Sequence, residues 1–531
     1  MDTVVKPLPE PHASGLSPKQ FRLVFLGLIL TVLLAALDQT IVATALPTIV
    51  GELQGLEHLA WVITAYMLAA TIGLPIYGKL GDLVGRKSVF IVAIIVFLLG
   101  SVFSGMAQDM TQLIGARAVQ GIGGGGLMIG SQAIIADLVS PRERGKYMGL
   151  IGAAFGLASI SGPLLGGLIT DAWDWRWVFY INIPLGAIAL VVVIASLKLP
   201  KPVASSRKFD YAGAALLTLA STALILLTSW GGTTYEWNSP EILGLGAFVI
   251  VAGFIFVLVE RKATEPILPL SLFSNRNFVL TTLIGITVGI IMFATVSYMP
   301  TFLQMVNGAS ATASGLMMIP MTAGMLITTI GTGRLISHSG KYKAFIVIGP
   351  IIMLIGLFML AQLTTDTSYF YTATALLVTG LGIGLLMQNL IVIVQNDAPR
   401  KDMGVATSTT NYFRQMGASF GIAIFGSLFI ARLTDTIPSG MSMPGGEAGL
   451  SSLTPELLAS LPTQAQNAIA TGFAEALPPV FLLGIPVALL GLVLSLFVKE
   501  TPLSTSMGSA PEQTGAPSPA VNIAGTEGKQ R

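Results

Sequence analysis

The sequence contains no cysteine and only three histidines, His12, His58 and His338. Disulfides, thiol nucleophiles and thiolate metal sites are therefore excluded. The histidines fall in tails or loops by the reading below, and no two are spaced to share a metal ion. No metal and no cofactor are expected. Charge is equally scarce. Asp, Glu, Lys and Arg make up 10% of the 531 residues, against about 25% in soluble domains. A water-soluble fold of this size could not cover itself with so few charges. No G-x-x-x-x-G-K-[ST] loop occurs, which speaks against a nucleotide-driven pump.

What is present is hydrocarbon. Hydrophobic residues are 53% of the chain and the mean hydropathy is +0.78, so the chain reads as an all-α polytopic membrane protein. The opening "MDTVVKPLPEPHASGLSPKQ" lacks the short apolar core of a cleaved signal, and the first apolar stretch reads as a retained anchor. A spanning helix needs about 20 apolar residues. Fourteen segments qualify: 22–47, 58–78, 88–106, 111–136, 147–168, 177–197, 211–229, 241–259, 278–304, 312–335, 344–363, 369–395, 405–431 and 477–498.

An even number of spans puts both termini on one side, and charge gives the side. The loops after helices 2, 4, 6, 8, 10 and 12 carry Lys79, Arg86, Lys87; Arg142, Arg144, Lys146; Lys198, Lys201, Arg207, Lys208; Arg261, Lys262, Arg276; Lys341, Lys343; and Arg400, Lys401. The opposite loops carry Arg176 and Arg432, both near helix ends. The positive-inside rule then places both termini in the cytoplasm, with the cytoplasmic (plasma) membrane as the expected location. The expected layout is a tail (1–20), a six-helix bundle (21–200), an inserted pair, helices 7 and 8 (201–265), a second six-helix bundle (266–500) and a disordered tail (501–531). The second bundle carries a long outer loop, 432–476, in which Thr454 and Pro455 open a segment read as short amphipathic helices on the outer membrane face.

The halves repeat. "GRLISHSGKYK" from Gly333 resembles "GKLGDLVGRK" from Gly78, "APRKDMG" from Ala398 resembles "SPRERGKYMG" from Ser140, and "GIGLLMQN" from Gly382 resembles "GGGLMIGSQ" from Gly124. The three matches run in order at nearly one offset. Repeated halves in a helical membrane protein point to alternating access, with two bundles rocking about a site near the midplane.

One residue stands out inside the spans. Asp38 is the only carboxylate well within any of them, and an intramembrane acid is a functional candidate by default. By helix rise it lies roughly 12 Å deep, and Arg117 of helix 4 roughly 9 Å deep, both from the outer end. Arg117 stays charged at any relevant pH, so Asp38 is the member that can change. A static ion pair that only orients helices is the plainer reading of the same residues.

Four motifs then carry a resemblance: "LDQTIVATALPTI" in helix 1, "GKLGDLVGRK" after helix 2, "RAVQGIGGG" in helix 4 and "GLASISGPLLGG" in helix 5. Over roughly residues 20–500 the chain resembles a transporter of the major facilitator superfamily, in particular its fourteen-helix drug/proton antiporter family of the EmrB/QacA type. The resemblance implies proton coupling through Asp38 and Arg117. It implies gating through the turn of Gly78, Asp82, Gly85, Arg86 and Lys87, where a carboxylate suits a helix N-terminus and glycine allows close approach. Ser337 stands where Asp82 would repeat, so the latch is expected on one side only. Gly162, Pro163, Gly166 and Gly167 match the antiporter motif and favour export. Small residues at this spacing also let helices pack closely.

Tyr298, Gln304, Gln388, Asn389, Asn411, Tyr412 and Arg414, with Met317 and Met321, are candidates for the substrate pocket. Relatives that export divalent cations carry an extra acid in helix 10; residues 312–335 contain none, leaving monocationic, zwitterionic or neutral amphiphiles. The expected function is proton-driven export of amphiphilic drugs by a monomer, with protons, small molecules and lipids as partners and no nucleic acid. The alternatives are the same fold dedicated to one lipid, siderophore or antibiotic, and a proton/nutrient symporter. A membrane enzyme would need a catalytic constellation, and none is visible.

Overall fold

A computed structural model describes residues 16–53, 58–197, 199, 208–232, 234–436 and 463–503. The expectations for residues 1–15 and 504–531 of the tails, for Lys198, Lys201 and Arg207, and for Thr454 and Pro455 lie outside the described residues; α1 already starts at Pro18 within the expected tail, and Thr501 is held by Tyr342 and Asp397. Among those described there is no β-strand, only an isolated bridge between Gly231 and Tyr235. The helices are α1 (Pro18–Leu53), α2 (Leu59–Val84), α3 (Arg86–Met106), α4 (Met110–Leu138), α5 (Pro141–Ala172), α6 (Trp177–Ser196), α7 (Tyr211–Trp230), α8 (Pro240–Lys262), α9 (Arg276–Met305), α10 (Thr312–Ser339), α11 (Lys343–Leu360), α12 (Tyr369–Asp397), α13 (Met403–Thr436) and α14, which runs as Thr463–Ala476, a 3-10 stretch Pro478–Leu483 and Gly484–Leu496.

Local chemistry sets many of the boundaries. Asp109, Asp210, Ser239 and Asn275 cap α4, α7, α8 and α9, each side chain accepting a backbone N–H of the first turn. Gly85, at φ 106°, separates α2 from α3; a side chain there would be strained. Gly340 ends α10 in the left-handed region. Paired prolines, Pro478 and Pro479, break α14.

Thirteen helices among the described residues are long and apolar enough to cross a membrane. The remaining long one, α4, falls short in hydropathy because it carries Arg117, Gln120 and Gln132 among its glycines. Its 29 residues extend roughly 43 Å, more than a hydrocarbon core of about 30 Å. It packs against α2 and α3, and those polar side chains are buried. Its polarity is turned inward, which an average over the sequence does not register.

The repeat is visible in the packing. In the first half α1 lies on α5 and α6, α4 on α2 and α3, and α3 on α6; in the second, α9 lies on α13 and α14, α12 on α10 and α11, and α11 on α14. Each pairing recurs with eight added to both helix numbers. The halves meet where α2 packs on α13 and α5 on α10. The inserted helices α7 and α8 pack on each other, and α7 also lies on both α2 and α13. Leu243, Ile250 and Phe254 of α8 are exposed, as expected for a face turned to lipid.

One expectation is corrected here. Residues 463–476 do not lie apart on the membrane face. Ile469, Phe473 and Ala474 are buried, and Phe473 meets Phe429 of α13 edge-on at 5.3 Å between ring centres. The apolar stripe of this segment has the bundle as its partner.

Candidate functional site

In the first half, α1, α3, α4 and α6 bring five polar side chains to one dry point. Asp38 is fully buried and Arg117 1% exposed. Arg117 Nη1 donates to Asp38 Oδ2 at 2.6 Å. Gln120 Nε2 and Asn182 Nδ2 both donate to Asp38 Oδ1, at 2.7 and 2.9 Å. Ser101 Oγ accepts from the same two amides at 3.1 and 2.9 Å and donates to Phe179 O. The guanidinium of Arg117 lies over the Tyr66 ring at 4.3 Å, an arrangement that attracts a desolvated cation. The structure brings Asp38 and Arg117 together, as their similar depth suggested. Gln120, Asn182 and Ser101 were not singled out from sequence. Gln120 was signalled by its place one helical turn after Arg117, and Asn182 by being the lone amide in an apolar run.

Residues 78–87 are not the extended turn expected: α2 continues to Val84 and only Gly85 separates it from α3. At this end of the bundle, which carries the basic loops, each charge of the segment has a partner. Asp82 accepts from the amides of Gly404 and Val405, at 3.2 and 3.0 Å, at the start of α13. This is a carboxylate on a helix N-terminus. Arg86 Nη2 donates to Asp82 at 3.0 Å and its Nη1 to Asp137 at 2.6 Å. Lys87 Nζ donates to the carbonyls of Ile194 and Leu197, ending α6. Lys79 Nζ pairs with Glu265 beyond α8 at 2.7 Å. A Cβ on Gly78 would collide with Ser408 Oγ and approach Gly404 O, so this glycine sets how closely α2 and α13 approach.

The second contact between halves is also closed, by the opposite chemistry. Arg142, at the start of α5, donates to the carbonyls of Ser337, at 2.9 Å, and His338, which end α10. The lack of an acid at Ser337 therefore does not leave that side unlatched; a cation on a helix C-terminus replaces an anion on an N-terminus. Arg144 donates to Gln395 O at 2.8 Å. Among the described residues, the hydrogen bonds between the two six-helix halves all lie between this end and the level of Gln132 and Asn411. The conformation is closed at the basic end. At the far end Arg176 is answered by Glu52 at 2.7 Å, and the hydrogen bond from Arg176 holds the Glu52 carboxyl below its usual range.

The glycines of α5 divide by function of place. Gly152 and Gly156 face Thr329 and Leu326 of α10, across the halves. Gly162 and Gly166 face Thr40 and Thr44 of α1, where a Cβ would collide with either hydroxyl, while Gly167 has open space. Thr40 Oγ1 donates to Ala158 O at 3.0 Å, one turn before Pro163. The motif therefore fits α5 closely to the helix that carries Asp38.

The pocket candidates separate. Asn411 and Arg414 lie together at the contact between halves, with Arg414 Nη2 donating to Asn411 Oδ1 at 2.6 Å. Gln388 sits at the break within α12, beside Gly152, and both its amide atoms are buried without a partner. Asn389 donates to Thr332 and to Leu385 O. Tyr412 turns the other way and shares a 2.6 Å bond with Ser221 of α7. Tyr298 is tied to Ile422 O, and Gln304 to Ser314. Met321 is buried, and the Met317 carbonyl accepts from Tyr369. A cavity of about 860 Å³ lies elsewhere, between α2, α3, α4 and α7, lined by residues such as Leu68, Ile72, Val92 and Ile122. It contains no charged side chain and suits hydrocarbon rather than proton chemistry.

Two repeated six-helix halves, meeting at paired helices around buried polar groups, define a multi-pass helical membrane transporter. The chain belongs to the Major Facilitator Superfamily, whose sequence signature matches residues 28–422. It is 42% identical to an uncharacterized MFS-type transporter of Mycobacterium tuberculosis over 494 residues, covering 92% of this chain and 71% of the relative. It is 38% identical to the multidrug transporter protein MdtP of Bacillus subtilis, covering 91% and 94% of the two chains. Among solved structures, the proton:xylose symporter XylE matches with a TM-score of 0.59 at 15% identity, over 91% of this chain and 96% of that one. That likeness speaks to the fold alone.

Proposed function

We propose that this chain is a fourteen-helix drug/proton antiporter that exports amphiphilic compounds across the cytoplasmic membrane, as a monomer, without a cofactor and driven by the proton gradient. The observation that carries the reading is the dry carboxylate of Asp38 with three N–H donors converging on it. Adding a proton displaces one of those bonds and weakens the attraction to Arg117, so proton loading changes how α1 is held to α4 and α6. Asn182 Oδ1 has no partner, and turning that amide presents it to a protonated carboxyl. The multidrug name of the Bacillus subtilis relative supports drugs as cargo.

The basic loops orient the protein with their end, and both termini, in the cytoplasm. The closed end is then the cytoplasmic one, and an exporter exchanges cargo and protons with the outside while that end stays shut. Asp82, Arg86 and Lys87 act in the gate, with Gly78 and Gly85 shaping it. Gly162, Pro163 and Gly166 transmit between α5 and the Asp38 helix.

The test uses inverted membrane vesicles with an imposed proton gradient. Proton release is followed as lipophilic cations, neutral drugs and zwitterionic or anionic amphiphiles are added, for the wild type and for Asp38→Asn. Release that requires both drug and Asp38 is expected. Release that survives the substitution moves coupling elsewhere, and no movement of any compound sinks the export reading.

A further inference from the structure

Arg414 is a buried cation without a counter-ion. It lies eleven residues into α13, roughly 17 Å along the helix, and is 5% exposed. Among the described residues no carboxylate is within ion-pairing distance of it. The one acid deep in the spans, Asp38, is already occupied by Arg117, Gln120 and Asn182. A guanidinium keeps its proton and carries donors only. An isolated charge at this depth is costly unless something answers it.

The hydrogen bonds around it run in one direction. Because Arg414 can only donate, Asn411 must present Oδ1 to it. The Asn411 Nδ2 group is thereby turned to the other half, where it donates to Gln132 Oε1 at 2.9 Å. That bond in turn fixes the Gln132 amide with its Nε2 pointing away. Both loose ends of the chain are N–H groups: Gln132 Nε2 and Arg414 Nε are buried without a partner. Gln132 itself is fully buried. The orientation of two amides, ordinarily ambiguous, is set here by the charge at one end.

We propose that this chain of donors, spanning the contact between the halves, receives a carboxylate on the transported compound. The inference rests on the export reading and narrows its cargo to zwitterionic or anionic amphiphiles, with lipophilic monocations poor substrates. A planar carboxylate matches the fork of a guanidinium in two bonds, and it supplies a negative charge beside Arg414, where no described carboxylate lies within ion-pairing distance. The cargo engages Arg414 in one half and Gln132 in the other, so its binding reports directly on how far apart the halves stand.

Rhodamine 110, which has a free carboxylate, and rhodamine 123, its methyl ester, test this in proteoliposomes of the purified full chain under a proton gradient. The wild type is expected to favour the acid over the ester by at least tenfold in KM. In Arg414→Gln that ratio collapses toward one, and Gln132→Leu moves it the same way. Gln132→Leu carries the test if the arginine variant does not fold. Equal handling of acid and ester by the wild type, or a ratio untouched by both variants, overturns the proposal. Movement of lipophilic cations without either acid or zwitterion overturns it while leaving export intact. If no compound moves, export fails instead, and tighter binding of acid than ester to the solubilised chain, lost in the variants, still decides the Arg414 site.

Discussion

Lys79 and Glu265 meet at 2.7 Å, Nζ to Oε2, across 186 residues of chain. Lys79 is 3% exposed and Glu265 15%. The pair ties the C-terminal part of α2 to the linker that leaves the inserted helices. The inserted pair is therefore anchored to the segment 78–87, the proposed gate.

Reversing one charge places like charges in contact. Lys79→Glu or Glu265→Lys alone should lower stability by about 3 kcal/mol, the range for breaking a largely buried pair, and reduce transport. The double reversal should recover at least half of both losses. Thermal unfolding in detergent and vesicle transport read this out, and a double reversal no better than the singles would remove the coupling.

The Asp82 contact gives a second prediction. Charge-assisted hydrogen bonds of this kind contribute about 1.5–3 kcal/mol, so Asp82→Asn should shift the closed-to-open ratio at the basic end roughly ten- to a hundredfold. A single cysteine at Thr329, which lies against Gly149 and Gly152, should then be alkylated correspondingly faster. The natural chain has no cysteine, so the background is nil. An unchanged labelling rate would show that Asp82 does not hold the gate.

The buried pair of Asp38 and Arg117 separates stability from coupling. Arg117→Met leaves the buried Asp38 carboxylate without its counter-ion and should cost about 3–5 kcal/mol. Adding Asp38→Leu should restore most of that loss, because an apolar pair of similar volume is often neutral. Neither protein should couple protons to drug. A double variant that still releases protons with drug would reduce the pair to a structural role.

The α5 glycines predict opposite outcomes for one kind of change. Gly162→Ala and Gly166→Ala drive a methyl into Thr40 and Thr44 and should cost about 1–3 kcal/mol, as overpacking does. Gly167→Ala meets nothing and should be neutral or stabilising by up to about 1 kcal/mol, since alanine favours helix over glycine. Thermal midpoints of the three single variants decide it, and a loss at Gly167 as large as at Gly162 would contradict the packing.

Much of this was legible in the residues. Runs of apolar residues marked all fourteen long helices, even α4, whose average hydropathy falls short, and loop charge sorted the ends. The depth of Asp38 and Arg117 predicted their meeting, because a helix converts sequence distance into height with little freedom. Rotation about the helix axis is less constrained. In a helix buried on several sides the apolar pattern no longer points one way, and Tyr412 consequently turned to Ser221 rather than to the contact between halves. The partners of loop charges were also hidden. Asp82, Glu265 and Arg142 each had several equally plausible mates, and only the stacking of distant segments chose among them. Gln120, Asn182 and Ser101 come from three different helices, so no local spacing could gather them.

The placement of α7 has a consequence for traffic through the bilayer. It lies on α2 and α13 at once, fastened by Ser221 to Tyr412 and by Trp230 edge-on to Trp61. Of the two lateral doorways that a pair of rocking halves would offer, the one along α2 and α13 is walled off. If cargo enters from the leaflet as the halves separate, the seam left uncovered by α7 is the one between α5 and α10, where Gly152 and Gly156 lie.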